Sequence, residues 1–151
     1  MRYFKEVELW ENVSEKEWMD WHWQVRNRIT DVETLGKIIN ITGKEKEDIK
    51  KVLEKFPMGI TPYFATLMDV DDPDCPIRKQ SVPTIMETHL SATDMEDPLA
   101  EDRNSPVPGL IHRYPDRVLL LVTSQCAMYC RHCTRRRFTG QKDSQMSKDM
   151  I

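Results

Sequence analysis

The sequence predicts an α/β chain: a helical N-terminal region, an irregular acidic connection, and a strand that runs into a cysteine-rich loop. Three observations predict it. Up to residue 68, apolar residues recur at three- and four-residue steps behind helix-start signals. Over 69–110 that period disappears and Asp and Pro accumulate. The segment 111–151 then carries "VLLLV" at 118–122, a short continuous apolar run followed at once by Cys126, Cys130 and Cys133.

In chain order, "SEKE" from Ser14 to Glu17 reads as a capping box, in which hydroxyl and carboxylate reciprocally satisfy free amides. Behind it Trp18, Trp21, His22, Val25 and Ile29 share one apolar stripe, with Trp23 off the stripe as a candidate oligomer contact. "TDVE" from Thr30 and "TGKE" from Thr42 open two further helices, the latter stopped by Pro57. Pro62, behind Thr61, suits a first helical turn, where its missing amide hydrogen is harmless. The acidic segment still holds the apolar anchors "IRKQ" and "IMETHL". A turn is expected at Pro115–Asp116, then a strand over 117–123 whose unbroken apolar run suits a parallel sheet covered on both faces.

Composition narrows the function class. The 151 residues carry a net charge of −3, against the basic excess usual in nucleic-acid-binding domains. No apolar run approaches the ~20 residues that cross a bilayer. The N-terminus lacks the apolar centre of a secretory signal, so a cytoplasmic address is expected, where clustered thiols favour metal or catalysis over disulfides. The final "SQMSKDMI" reads as the start of a helix, and a longer protein is expected to continue beyond Ile151.

Cys126, Cys130 and Cys133 stand at spacings of four and three. Structural zinc normally closes with four Cys or His ligands, and the remaining thiol, Cys75, lies far upstream. Three thiolates suit a [4Fe–4S] cluster with one iron left open to an exogenous ligand, since full ligation takes four. A zinc-holding interaction module and incidental thiols are the competing readings. The adjoining "RHCTRRR" fits anionic ligands, or alternatively a solvated basic patch or a nucleic-acid arm.

"CAMYCRHC" resembles the CxxxCxΦC signature of the radical S-adenosylmethionine enzymes, with His132 at Φ. The wider "PVPGLIHRYPDRVLLLVTSQCAMYCRHCTRRRFTG", with "DPLAEDRNSPVPG", "IRKQ" and "WHWQVRNRI", closely resembles the lysine 2,3-aminomutase family over nearly the whole chain. The resemblance implies that the strand and loop begin a partial (β/α) barrel. It also implies a radical isomerase converting L-lysine to L-β-lysine, with a [4Fe–4S] cluster, S-adenosylmethionine and pyridoxal phosphate. Glutamate 2,3-aminomutase is the alternative within the family.

Carried over by the resemblance, Cys126, Cys130 and Cys133 are cluster ligands, and His132 approaches the adenine of S-adenosylmethionine. Arg135 takes the substrate carboxylate, and Arg113, Tyr114 and Arg117 contact pyridoxal phosphate. The lysine that carries pyridoxal phosphate, the glycine-rich S-adenosylmethionine contact and a zinc site are expected beyond Ile151, so the 151 residues alone are not expected to turn over. The implied partners are an amino acid substrate, an electron donor such as flavodoxin or ferredoxin, and further copies in a homo-oligomer; neither nucleic acid nor membrane is expected.

Overall fold

A computed structural model describes residues 2–89 and 91–140. They fall into two compact units: residues up to 89 with the returning stretch 126–132, and residues 91–125 with 133–140.

The first unit is built from short helices whose starts are written locally: α1 (Glu15–Trp18), α2 (Trp21–Arg26), α3 (Val32–Leu35), α4 (Gly43–Leu53), α5 (Pro62–Ala65) and α6 (Pro76–Ser81). The boxes at Ser14/Glu17 and Thr42/Glu45 are both formed, and Pro62 opens α5 as expected. The second start is shifted by one residue: Asp31, not Thr30, accepts from the Thr34 amide. Thr61 makes no side-chain cap on α5. The buried Gln24 serves instead, accepting from the Tyr63 amide at 2.8 Å while donating to the Trp18 carbonyl at 2.8 Å.

The single apolar stripe expected after Ser14 is corrected. The chain breaks at Met19–Asp20, and Asp20 caps a new helix through the His22 amide. That break resets the helical phase. Trp18 is buried against Phe4 and Trp10, and Trp23 packs on the same core, whereas Trp21 is exposed and stacks on the exposed His22. Beneath them lie Leu35, Ile38, Ile39, Ile49, Met58 and Ile60, all essentially without water contact. The acidic segment contributes α6, where Arg78 is buried and donates to the Asn40 carbonyl and to Glu45 of α4. Among the described residues no helix is long and apolar enough to cross a membrane.

The second unit centres on a two-stranded antiparallel hairpin, β1 (Leu110–Tyr114) and β2 (Arg117–Leu120), turning at Pro115–Asp116. Leu110 faces Leu120 and Ile111 faces Leu119, but Tyr114 faces Arg117, so β1 holds one residue more than β2 in between. That bulge re-aims the side chains around Arg113. Among the described residues the expected parallel, doubly covered strand is not formed: β2 pairs antiparallel with β1, and Val118, Leu119, Leu120 and Val122 are 37–54% exposed. An apolar run records what a strand requires of its neighbours. The described residues supply one pairing edge and no cover.

Candidate functional site

The cysteine loop follows β2, which ends at Leu120. Cys126 and Cys130 lie on the stretch that returns to the helical unit, and Cys133 follows on the stretch that belongs with the hairpin. None of the three is in a disulfide, and each is partly exposed. The Cys126 thiol donates to the Met128 carbonyl at 3.1 Å, and the Cys133 sulfur accepts the Arg135 amide at 3.4 Å. His132 is exposed. Among the described residues no three Cys, His, Asp or Glu side chains are gathered as a finished metal cage. The donor chemistry fits a cluster all the same: these are reduced, reachable sulfurs on one loop, and ligand sets seldom close before the metal arrives. Cys75 differs, being buried with its sulfur accepting the Asp69 amide at 3.4 Å.

The arginines of the loop have carboxylate partners within the chain. Arg131 forks onto Glu87, with Nη2 at 2.6 Å and Nε at 3.0 Å, and adds a bond to the Pro57 carbonyl at 2.9 Å. Arg137 meets Asp97 at 3.1 Å and Asp102 at 3.0 Å. The expectation that the run of cations awaits anionic ligands is therefore corrected for Arg131 and Arg137, whose counter-charges come from far upstream in the sequence. Arg135 is also engaged: its Nε and Nη2 donate to Glu101 at 3.0 and 2.6 Å. Its Nη1 makes neither bond, and the side chain is 38% exposed beside an almost wholly buried Glu101. One edge of that guanidinium is held while the other can face a ligand. At Asp97, burial alone would raise the carboxyl, but the amides of Asp102 and Glu101 and the Arg137 guanidinium outweigh it and hold it below the usual value.

At the hairpin turn Arg113 and Arg117 flank the exposed Tyr114 ring, their guanidinium carbons 5.8 and 5.4 Å from its centre. All three are solvent-facing, with Asp116 bonded to Arg117 at 3.0 Å. Two guanidiniums and a phenol on one turn suit a phosphate group. The structure places Arg113, Tyr114 and Arg117 on this one turn.

Known proteins decide the family. The L-lysine 2,3-aminomutase of Acetoanaerobium sticklandii is 59% identical over 140 residues, which is 93% of this chain and 34% of that protein. The chain belongs to the lysine 2,3-aminomutase family. The family's L-lysine 2,3-aminomutase from Clostridium subterminale is 54% identical over 97% of this chain and 35% of its own length. The glutamate 2,3-aminomutase of Clostridioides difficile is 48% identical over 93% of this chain. No family model matches. The chain spans about a third of the length of the aminomutases it matches.

Sequence reasoning about this chain missed Arg28, Gly59, Glu87 and Glu101. Glu87 had a signal: Thr84 and Glu87 in "TIME" have capping-box spacing, and the Thr84 amide does donate to Glu87 at 3.1 Å. Glu101 had none, because its role depends on a partner 34 residues away.

Proposed function

We propose that this chain is the cluster-bearing part of a radical S-adenosylmethionine, pyridoxal-phosphate-dependent 2,3-aminomutase that converts L-lysine to L-β-lysine. The observation that carries the reading is the thiol triad Cys126, Cys130 and Cys133 in a chain 54–59% identical to lysine aminomutases of three bacteria. When bound, the cluster, S-adenosylmethionine and pyridoxal phosphate supply radical initiation and a carrier for the migrating amine. β2 and the loop after it are read as the first strand and cluster loop of a partial (β/α) barrel, a reading supported by an apolar strand that leads into the thiols.

The residues of this chain have separable roles in that reaction. Cys126, Cys130 and Cys133 would hold the cluster and leave one iron to the sulfonium cofactor. His132, exposed between two of them, is free of the ligand set and can meet the adenine. The Nη1 edge of Arg135 can take the substrate carboxylate while Glu101 fixes the ring-like plane of the guanidinium from behind. Arg113, Tyr114 and Arg117 would take the phosphate of the second cofactor.

Anaerobic reconstitution with iron and sulfide tests the reading. The wild-type chain is expected to gain a four-iron absorption and resonance spectrum, and Cys130→Ala to lose it, since two thiolates cannot hold four irons. One tightly held zinc and no cluster would instead establish an interaction module. Glutamate is the second substrate reading, because the glutamate aminomutase is 48% identical, as is the lysine enzyme of Methanococcus maripaludis. Turnover of lysine but not glutamate by the full-length protein, checked by product mass, decides between them.

A further inference from the structure

The stretch between the first two thiols and His132 is tied to the helical unit along its whole length. At its start, Arg28 Nη1 donates to the Cys126 carbonyl at 2.6 Å and to the Tyr129 hydroxyl at 3.2 Å. In its middle, the Tyr129 amide donates to the Gly59 carbonyl at 2.8 Å, and Met128 bridges antiparallel to Ile60. Ile60 is itself bridged to Ile29, with N–H donated both ways at 2.7 and 3.1 Å. At its end, the Arg131 amide donates to the Gln80 carbonyl at 2.8 Å and the Arg131 guanidinium forks onto Glu87. The ties are made by backbone, Tyr129 and Arg131, while the two thiols between them stay partly exposed.

Charge and steric fit follow the same division. Arg131 and Glu87 are only 9% and 14% exposed, so each neutralises the other and neither is left over for an external ligand. Glu87 is fixed in turn by the Thr84 amide. Gly59 lies under the Tyr129 ring: a Cβ there would come within 3.0 Å of Cδ2 and Cε2 and 3.3 Å of Cγ. A side chain there would crowd the ring by a few tenths of an ångström and press it, and with it the loop, away from the Gly59 carbonyl.

We propose that the helical unit is a holder for the cluster loop, with Arg28, Gly59 and Glu87 as positioning residues that present Cys126 and Cys130 together. The inference rests on reading the triad as cluster ligands. The physical reason for a holder is repulsion and entropy. Thiolates converging on an anionic cluster repel one another, and a free loop would lose conformational freedom on each assembly. Fixing the loop beforehand by neutral pairs and carbonyl contacts moves that cost into folding.

The test compares the wild-type chain with Glu87→Gln, Gly59→Ala and, as a surface control, Lys79→Ala, each reconstituted anaerobically with iron and sulfide. Release of iron to a chelator is followed alongside far-ultraviolet circular dichroism. Supporting partners around metal ligands typically govern affinity by 10–100-fold, so Glu87→Gln and Gly59→Ala are expected to lose iron about tenfold faster with unchanged dichroism. Lys79→Ala should match wild type, and Glu87→Asp should recover part of the loss. A second readout needs no cluster: in the apo chain, alkylation of Cys126 and Cys130 should change several-fold in Glu87→Gln while Cys133, outside the held stretch, keeps its rate. Equal iron loss and equal alkylation in all variants overturn the holder and leave the triad reading standing. A wild-type chain that takes up zinc and no cluster overturns both.

Discussion

Replacing Arg135 with alanine is expected to destabilise the hairpin-bearing unit more than replacing its partner Glu101. The asymmetry comes from burial: the Glu101 side chain is 4% exposed and that of Arg135 is 38%. Without Arg135, a carboxylate stays buried with Arg137 Nη2 at 3.8 Å as its nearest ion-pair cation. A buried charge stripped of its partner costs about 3–5 kcal/mol, and the residual Arg137 attraction places this one near 3 kcal/mol. Without Glu101, the Arg135 guanidinium is reached by water and the loss is that of a charge-assisted bond, about 1.5 kcal/mol. The difference is roughly tenfold in the opening equilibrium. Tryptophan fluorescence is the wrong probe, because Trp10, Trp18, Trp21 and Trp23 all lie in the helical unit. Hydrogen exchange of peptides covering 97–104 and 133–139 reads the right region. Exchange accelerated equally in the two variants, or more in Glu101→Ala, would refute the burial argument. The outcome also governs how any ligand-binding defect in Arg135→Ala is interpreted: it counts as a lost contact only after this loss of structure is subtracted, and Glu101→Gln supplies the reference.

Other outcomes follow from the same geometry. Trp18→Ala, which empties the stack between Phe4 and Trp10, should cost about 3–5 kcal/mol in urea unfolding, whereas Trp21→Phe should change stability little and remove the iodide-quenchable emission. The carboxyl of Asp97 is held below 3.8, so its contribution to stability is present above that pH and is lost as pH falls through the lower folded value. A carbon-detected titration should place its midpoint under 3.8 and move it upward in Arg137→Gln; a midpoint at or above 3.8 in wild type would contradict the assignment. In the apo chain, iodoacetamide should label Cys126, Cys130 and Cys133 well before the buried Cys75, as peptide mass spectrometry would show.

What could be read in advance, and what could not, divides by the range of the interaction. The boxes at Ser14/Glu17 and Thr42/Glu45, the helix start at Pro62, the turn at Pro115–Asp116 and the thiol spacing are decided by residues within a few positions of one another, and the linear sequence states them. The burial of Trp23 over Trp21 turned on one local break at Asp20 that shifted the phase of everything after it. The partners of Arg131 and Arg135 lie 44 and 34 residues away, and Arg28 reaches a carbonyl 98 residues on. A guanidinium run looks the same in sequence whether it awaits a ligand or has already found a carboxylate. The sequence alone determined the spacing of the three thiols on one loop. Only the tertiary structure decided which cations were already neutralised and which loop was held, because that depends on where distant segments of the chain come to rest.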